Sequence, residues 1–287
     1  MEETNISQEQ NPLGTAPVGG LISKFAIPAI ISMLVSALYN IVDQIFIGQG
    51  VGMLGNAATN VAFPVTTIAT ALALLLGIGG ASNYNLEIGA GREKKASSIA
   101  GTALSTLVIT GAILAVAVLL FLRPLLGLFG ATTDVMPYAV DYLGITAVGL
   151  PFYVLSIGGN HIVRADRSPT YSMTCVLTGA VINTILDPLF IFGFGWGIKG
   201  AAWATVIGQV VSGILVIIYF GKFRKMYLET GMLKPSVECL KAIVSLGMAS
   251  CINQIAMAIV QIVMNNILRY YGGLSVYGSD IPIACVG

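Results

Sequence analysis

The stretch "VINTILDPLFIFG", Val181 to Gly193, is apolar enough to be the second half of a membrane-spanning helix, yet it contains Asp187 followed directly by Pro188. A carboxylate at mid-bilayer costs about 2.5–3.5 kcal/mol or more on insertion scales, so acids inside spans are rare and usually functional. The acid in this stretch is therefore a candidate for a buried site in a membrane protein.

The rest of the chain has the same apolar character. Hydrophobic residues make up 56% of the 287 residues and charged residues only 9%, whereas soluble domains carry about a quarter charged residues. Seven apolar segments reach the ~20 residues that a helix needs to cross a bilayer: about 25–47, 59–84, 99–122, 138–160, 171–193, 201–220 and 243–268. They show no sustained period of two, so the sequence predicts an all-α membrane protein, a polytopic helix bundle.

The basic residues are distributed unevenly between the two ends of these segments. Eleven Lys and Arg residues lie on the side of the N-terminus, and Arg123, Lys199 and Arg269 lie on the other. Because short cytoplasmic loops carry an excess of Lys and Arg, we expect a multi-pass protein of the cytoplasmic (plasma) membrane with its N-terminus in the cytoplasm. Glu87 and Asp166 lie among the basic residues and are expected to be solvated.

Several classes of function lack the residues they need. The sequence contains no phosphate-binding Walker loop, serine nucleophile elbow or zinc-binding HExxH helix, so we expect neither an enzyme nor a bound cofactor. The four cysteines include no CxxC pair, which gives no support to a disulfide framework or a structural metal. The expected surroundings are the lipid bilayer and small molecules, without nucleic acid.

Polar residues of three spans fall at a similar depth. At a rise of ~1.5 Å per residue, Asp43 lies about 6 Å, Asp187 about 9 Å and Thr205 about 6 Å inside the outer ends of their segments. If the two carboxylates face each other, they form with the hydroxyl an oxygen-rich site that suits a proton or Na⁺. The alternative is that each acid snorkels or bonds a neighbouring helix.

Each acid also has polar neighbours three or four residues away on its own helix face. Tyr39 and Asn40 precede Asp43, and Asn183 precedes Asp187. Pro28 shares a helix with Asp43, and an intramembrane proline permits a kink. We therefore interpret Pro28 as a hinge coupled to the charge of Asp43; the alternative is a static kink.

Three stretches carry a resemblance to a known family: "ALYNIVDQIFIGQGVG" (37–52), "VRADRSPTYSM" (163–173) and "NTILDPLFIFGFGWGIKGAAWATVIGQ" (183–209). They resemble the prokaryotic branch of the multidrug and toxic compound extrusion (MATE) family over nearly the whole chain. The resemblance implies a twelve-helix antiporter with two six-helix lobes around a central cavity. Such a protein exports organic cations and drugs in exchange for H⁺ or Na⁺.

The resemblance also assigns residues. It implies that Asp43, Asp187, Asn183 and Thr205 carry the coupling cation, and that they are its metal ligands if that cation is Na⁺. By resemblance, Tyr39 and Asn160 join the same polar network, and Pro28 is the point at which the first helix bends.

The chain departs from the family pattern in length, and its domains are expected accordingly. We expect a cytoplasmic tail (1–24), a six-helix lobe (25–220), a cytoplasmic linker (221–242) and the incomplete start of a second lobe (243–287). The seventh span has no acid matching Asp43, but it contains several amide side chains. Of these, Gln254 and Gln261 are candidates to line the cavity, together with Asn40 of the first span. The missing partner is either the rest of the second lobe or a second copy of the chain.

Three other interpretations stay open at this point. A flippase for lipid-linked oligosaccharides would share the fold, but would need cationic residues facing its cavity, and the spans hold essentially none. A receptor-like seven-helix protein would leave the paired acids and the partial eighth span unexplained. A truncated form or half-transporter that does not transport is the other alternative. The choice between H⁺ and Na⁺ and the identity of the substrates are not determined by the sequence.

Overall fold

A computed structural model of the chain describes residues 18–223, 226, 230–274 and 278–286. In these ranges the α-helices are α1 Val18–Gly50, α2 Met53–Gly89, α3 Glu93–Leu120, α4 Leu122–Leu128, α5 Met136–Ala165, α6 Pro169–Pro188, α7 Ile198–Ile218, α8 Val237–Gly273 and α9 Asp280–Val286. π-Helical turns, Leu189–Gly193 and Tyr219–Phe223, continue α6 and α7, and a 3₁₀ turn, Thr230–Leu233, precedes α8. No strand occurs among the described residues, which confirms the all-α prediction.

Seven of these helices are long and apolar enough to span a bilayer, as predicted: α1, α2, α3, α5, α6, α7 and α8. Most extend beyond the predicted segments. However, α3 ends two residues before the predicted limit at 122, and α6 and α7 reach their limits only through the π-helical turns that continue them. Residues 1–17 of the expected tail lie outside the described residues, whereas 18–24 form the first turns of α1.

The helices pack in a definite order. α1 packs mainly against α6, α6 against α7 and α7 against α5, while α5 also contacts α2 and α3. α2 runs along α8 and is the most buried of the seven spanning helices, and α1 is the least buried. We call the end of the bundle at which α1 begins the N-terminal face and the other end the opposite face.

Glycines explain how closely these helices approach. A Cβ at Gly77 of α2 would lie 2.5 Å from the Cα of Gly158 on α5, and one at Gly208 of α7 would lie 2.8 Å from the carbonyl oxygen of Gly179 on α6. Helices in a membrane gain little from the hydrophobic effect between them and are held by close van der Waals packing. The small residues therefore bring together the helices that carry the polar groups.

A carboxylate is buried near the N-terminal face, contrary to expectation. Asp166 is 2% exposed and accepts hydrogen bonds from the phenols of Tyr84 (3.2 Å) and Tyr219 (2.7 Å). The prediction that Asp166 is solvated is wrong, because hydroxyls from α2 and the turn after α7 replace water around it. Glu87 is likewise only 9% exposed, contrary to the prediction, because its carboxylate forms ion pairs with Arg92 and Lys95.

Candidate functional site

The two membrane acids meet inside the bundle. The side chains of Asp43 on α1 and Asp187 on α6 are within hydrogen-bonding reach of each other. Asp43 is 7% exposed and Asp187 is fully buried. Because α1 packs along α6, the two acids converge although they are 144 positions apart in the sequence.

Neutral polar groups surround the deeper acid. The Asn183 amide nitrogen lies 3.3 Å from Oδ1 of Asp187 and 3.5 Å from the hydroxyl of Thr205 on α7. Tyr142 of α5 lines the same cavity as Thr205. Three helices thus contribute to one small polar cluster.

Acceptor atoms in the cluster and in the lining of the cavity lack donors, and so does one oxygen that lies apart from both, on Asn160. Among the described residues, the buried side-chain atoms without a hydrogen-bond partner are Asp43 Oδ1, Asn56 Oδ1, Asn160 Oδ1, Asn183 Oδ1, Asp187 Oδ2 and Gln209 Oε1. All of them are oxygens. Buried polar atoms are nearly always paired in folded proteins, so an excess of unpaired oxygens marks a place where a proton or a hard cation fits.

The composition of the cluster limits which ion it suits. No group of three or more His, Cys, Asp or Glu side chains that could hold a metal occurs in the described part of the chain. Two carboxylates with amide and hydroxyl oxygens are hard ligands, which suit a proton or Na⁺ better than a transition metal.

A cavity of about 1000 Å³ opens beside the acid pair. Its walls come from α1, α2, α5, α7 and α8. Asp43 lines this cavity, whereas Asp187 and Asn183 are not among its lining residues. Within the pair, Asp43 therefore faces the cavity and Asp187 lies behind Asp43.

The structure places some of the other candidate residues in the lining of this cavity and others outside it. Tyr39, Asn40 and Thr205 line the cavity with Asp43, and Gln261 of α8 lines its wall. Asn160 and Gln254 do not line it.

The positions of Asn160 and Gln254 follow from their helices. Asn160 is buried on α5, two turns beyond the cavity residue Tyr153, and its amide nitrogen donates to the carbonyl of Ser156 at 2.8 Å. Gln254 is half-buried on α8, two turns before Gln261. Both lie nearer the N-terminal face than the cavity residues of their own helix.

The proposed hinge, Pro28, lies closer to the N-terminal face than the acids do. Pro28 is buried within the continuous helix α1, fifteen residues before Asp43 and so about 22 Å away along the axis. The hydroxyl of Ser32 donates to the carbonyl of Pro28 at 2.8 Å, a local bond that tends to bend helices.

Sequence reasoning missed several cavity residues. They are Asn56, Thr59, Asn60, Tyr142, Tyr153 and Gln209. Helix spacing offered one signal, because Gln209 lies four residues after Thr205 and therefore shares its face. Tyr142 and Tyr153 gave no such signal, because their exposure to the cavity depends on how α5 packs against the neighbouring helices.

Similarity to known proteins agrees with this geometry. The model of the MatE family matches residues 28–189. The multidrug export protein MepA of Staphylococcus haemolyticus (strain JCSC1435) is 28% identical over 263 residues, which are 91% of this chain and 58% of that protein. MepA of Staphylococcus aureus (strain NCTC 8325 / PS 47) is 28% identical over 272 residues, which are 94% of this chain and 60% of that protein.

Solved structures are similar over nearly the whole chain. The MATE multidrug transporter DinF-BH superposes with a TM-score of 0.89 and 34% identity, covering 98% of this chain and 62% of that one. An inward-facing multidrug resistance MATE transporter of the MOP superfamily gives 0.79 and 28%, covering 90% and 59%. The chain thus spans about 60% of the length of these proteins.

Proposed function

The chain belongs to the MatE family, whose members are transporters, and on that premise we propose that the full-length protein is a secondary multidrug exporter. It moves organic cations and drugs out of the cell in exchange for H⁺ or Na⁺, by alternating access. The observation that carries the proposal is that Asp43 and Asp187, on two helices that pack together, lie within hydrogen-bonding reach of each other at the edge of a cavity of about 1000 Å³. The names of the similar proteins, multidrug transporters, support the substrate class.

The acid pair supplies the coupling. Two carboxylates in contact and out of water repel each other unless a proton or a cation lies between them. Asn183 and Thr205 add amide and hydroxyl oxygens, which complete a set of hard ligands if the ion is Na⁺. Uptake of one H⁺ or Na⁺ from outside therefore lowers the negative charge of the pair by one.

This lowered charge links binding of the ion to binding of the substrate. An organic cation in the cavity is attracted by the charge of Asp43, so loading the pair with H⁺ or Na⁺ weakens substrate binding. Because Pro28 lies on the same helix as Asp43, the change in charge is accompanied by bending of α1. A ligand that favours one of two conformations shifts the balance between them, which is the basis of alternating access.

Orientation and partners complete the proposal. The excess of Lys and Arg on the N-terminal face supports a cytoplasmic N-terminus in the cytoplasmic membrane. A second lobe of the longer protein, or a second copy of the chain, supplies the rest of the cavity wall.

The lining of the cavity does not favour a lipid-linked oligosaccharide flippase. Among the described residues, the cavity is lined by no Lys or Arg, and its one charged side chain is Asp43. An anionic headgroup would be repelled there, whereas an organic cation is attracted.

Ethidium efflux from proteoliposomes containing the full-length protein tests the proposal, with imposed pH and Na⁺ gradients applied separately. One gradient is expected to drive efflux, and Asp43→Asn and Asp187→Asn are each expected to abolish it. Asp141→Asn is the matched control, because that acid is partly exposed and pairs with Lys199 at the opposite face. Export that survives in both site variants refutes the mechanism.

A further inference from the structure

A network of amides crosses from α2 to α8 beside the cavity. Asn60 of α2 and Asn265 of α8 are 5% and 0% exposed, and both contact Gln261, which is half-buried and lines the cavity. The network also reaches the backbone of α9 at Ile283. It ties together three helices at the cavity wall.

Backbone carbonyls fix the orientation of the two asparagines. The amide nitrogen of Asn60 donates to the carbonyl of Ile283 at 2.6 Å, and that of Asn265 donates to the carbonyl of Asn60 at 3.5 Å. A backbone carbonyl can only accept, so each asparagine must direct its NH₂ group to it. The side-chain oxygens of both asparagines therefore face Gln261.

Gln261 is oriented in turn by these two oxygens. Its Nε2 donates to Oδ1 of Asn60 at 2.7 Å and to Oδ1 of Asn265 at 3.3 Å, which uses both N–H groups. A flipped amide would place Oε1 against two other oxygens. The network thus holds Oε1 away from its neighbours, and no donor from the described part of the chain bonds to it.

We propose that Gln261 Oε1 is a fixed hydrogen-bond acceptor that selects organic cations carrying an N–H or O–H donor in addition to their positive charge. The charge lies at Asp43 of α1 and the acceptor at Gln261 of α8, since both residues line one cavity. This inference rests on the proposed export function and narrows its substrate class.

The physical basis is the cost of an unpaired acceptor. Water satisfies Oε1 while the cavity is empty of substrate. A cation with a donor replaces that water bond, whereas a cation without one leaves the oxygen unpaired. Sites built to hydrogen-bond a substrate reject analogues that lack the bonding group.

Two fluorescent dyes of one chemical core provide the test. Rhodamine 123 has amino groups that carry hydrogens, and tetramethylrhodamine methyl ester has fully methylated ones, while both are monovalent xanthylium cations. Binding to the purified full-length protein is measured by fluorescence anisotropy. Gln261→Met is expected to weaken binding of rhodamine 123 about 3- to 10-fold, the loss of one hydrogen bond, and to leave the methylated dye unchanged.

Controls separate selection from a structural role. Gln254→Met removes another half-buried amide of α8 that does not line the cavity, and it is expected to change neither dye. If Gln261→Met does not fold, Gln261→Asn decides, because the shorter side chain withdraws the oxygen and is expected to lower rhodamine 123 binding selectively. Equal loss for both dyes, no loss for either, or no binding of either dye by the wild type overturns the inference. Binding needs no ion gradient, so a failure of coupled export is recognised separately.

Discussion

Asp43 and Asp187 lie within hydrogen-bonding reach of each other, yet only Asp43 lines the cavity. Asp187 is fully buried behind it, beside Asn183. Under the proposed export function, a substrate in the cavity meets one carboxylate of the pair, and an ion reaches Asp187 by passing Asp43.

This arrangement predicts different defects for the two acids. Asp43→Asn is expected to weaken binding of rhodamine 123 by about 10- to 100-fold, the loss of one charged partner. Asp187→Asn is expected to leave that affinity nearly unchanged while abolishing ion-driven export. Dye anisotropy on purified protein, compared with efflux from proteoliposomes, checks both halves. Equal loss of dye affinity in the two variants would contradict the arrangement in which Asp43 faces the cavity and Asp187 lies behind it.

The buried Asp166 cluster predicts a loss of stability. Tyr219→Phe removes the 2.7 Å hydrogen bond to the carboxylate and is expected to lower the free energy of unfolding by about 1.5–3 kcal/mol. Thermal melting in detergent measures the change. Tyr270→Phe is the control, because Tyr270 is 66% exposed. Equal melting temperatures in the two variants would mean that Asp166 gains nothing from Tyr219.

The contact between α2 and α5 predicts sensitivity to one added methyl group. Gly77→Ala places a Cβ 2.5 Å from the Cα of Gly158, and overpacking of this kind costs about 1–3 kcal/mol. The melting temperature should fall, whereas Gly89→Ala, with no atom within 4 Å of its new Cβ, should melt like the wild type. A Gly77→Ala protein as stable as the control would show that the helices separate without cost.

The hinge predicts opposite effects on stability and transport. Proline in a helix interior costs about 3 kcal/mol, so Pro28→Ala is expected to raise the melting temperature. If α1 must bend there, the same variant loses export while it still binds dye. Melting, dye binding and efflux are measured on one preparation. Pro137→Ala is the control, because a proline in the first turn of a helix breaks no hydrogen bond. Full export by Pro28→Ala would rule out bending at that residue as a step of transport.

The sequence by itself determined the class of the fold, and it singled out the two acids as candidate site residues. A membrane requires long apolar helices with internally paired backbones, so composition and segment length were sufficient for seven spanning helices. Asp43 and Asp187 stood out because charge is costly in a bilayer whatever the packing around it.

Tertiary structure decided which polar groups meet and which way they point. The burial of Asp166 depends on phenols that come from two other helices, and the positions of Tyr142 and Tyr153 depend on how α5 packs. The direction of the Gln261 amide depends on carbonyls that lie far from it in the chain. Such arrangements join residues distant in sequence through packing and directional hydrogen bonds, which helix periodicity within one segment does not contain.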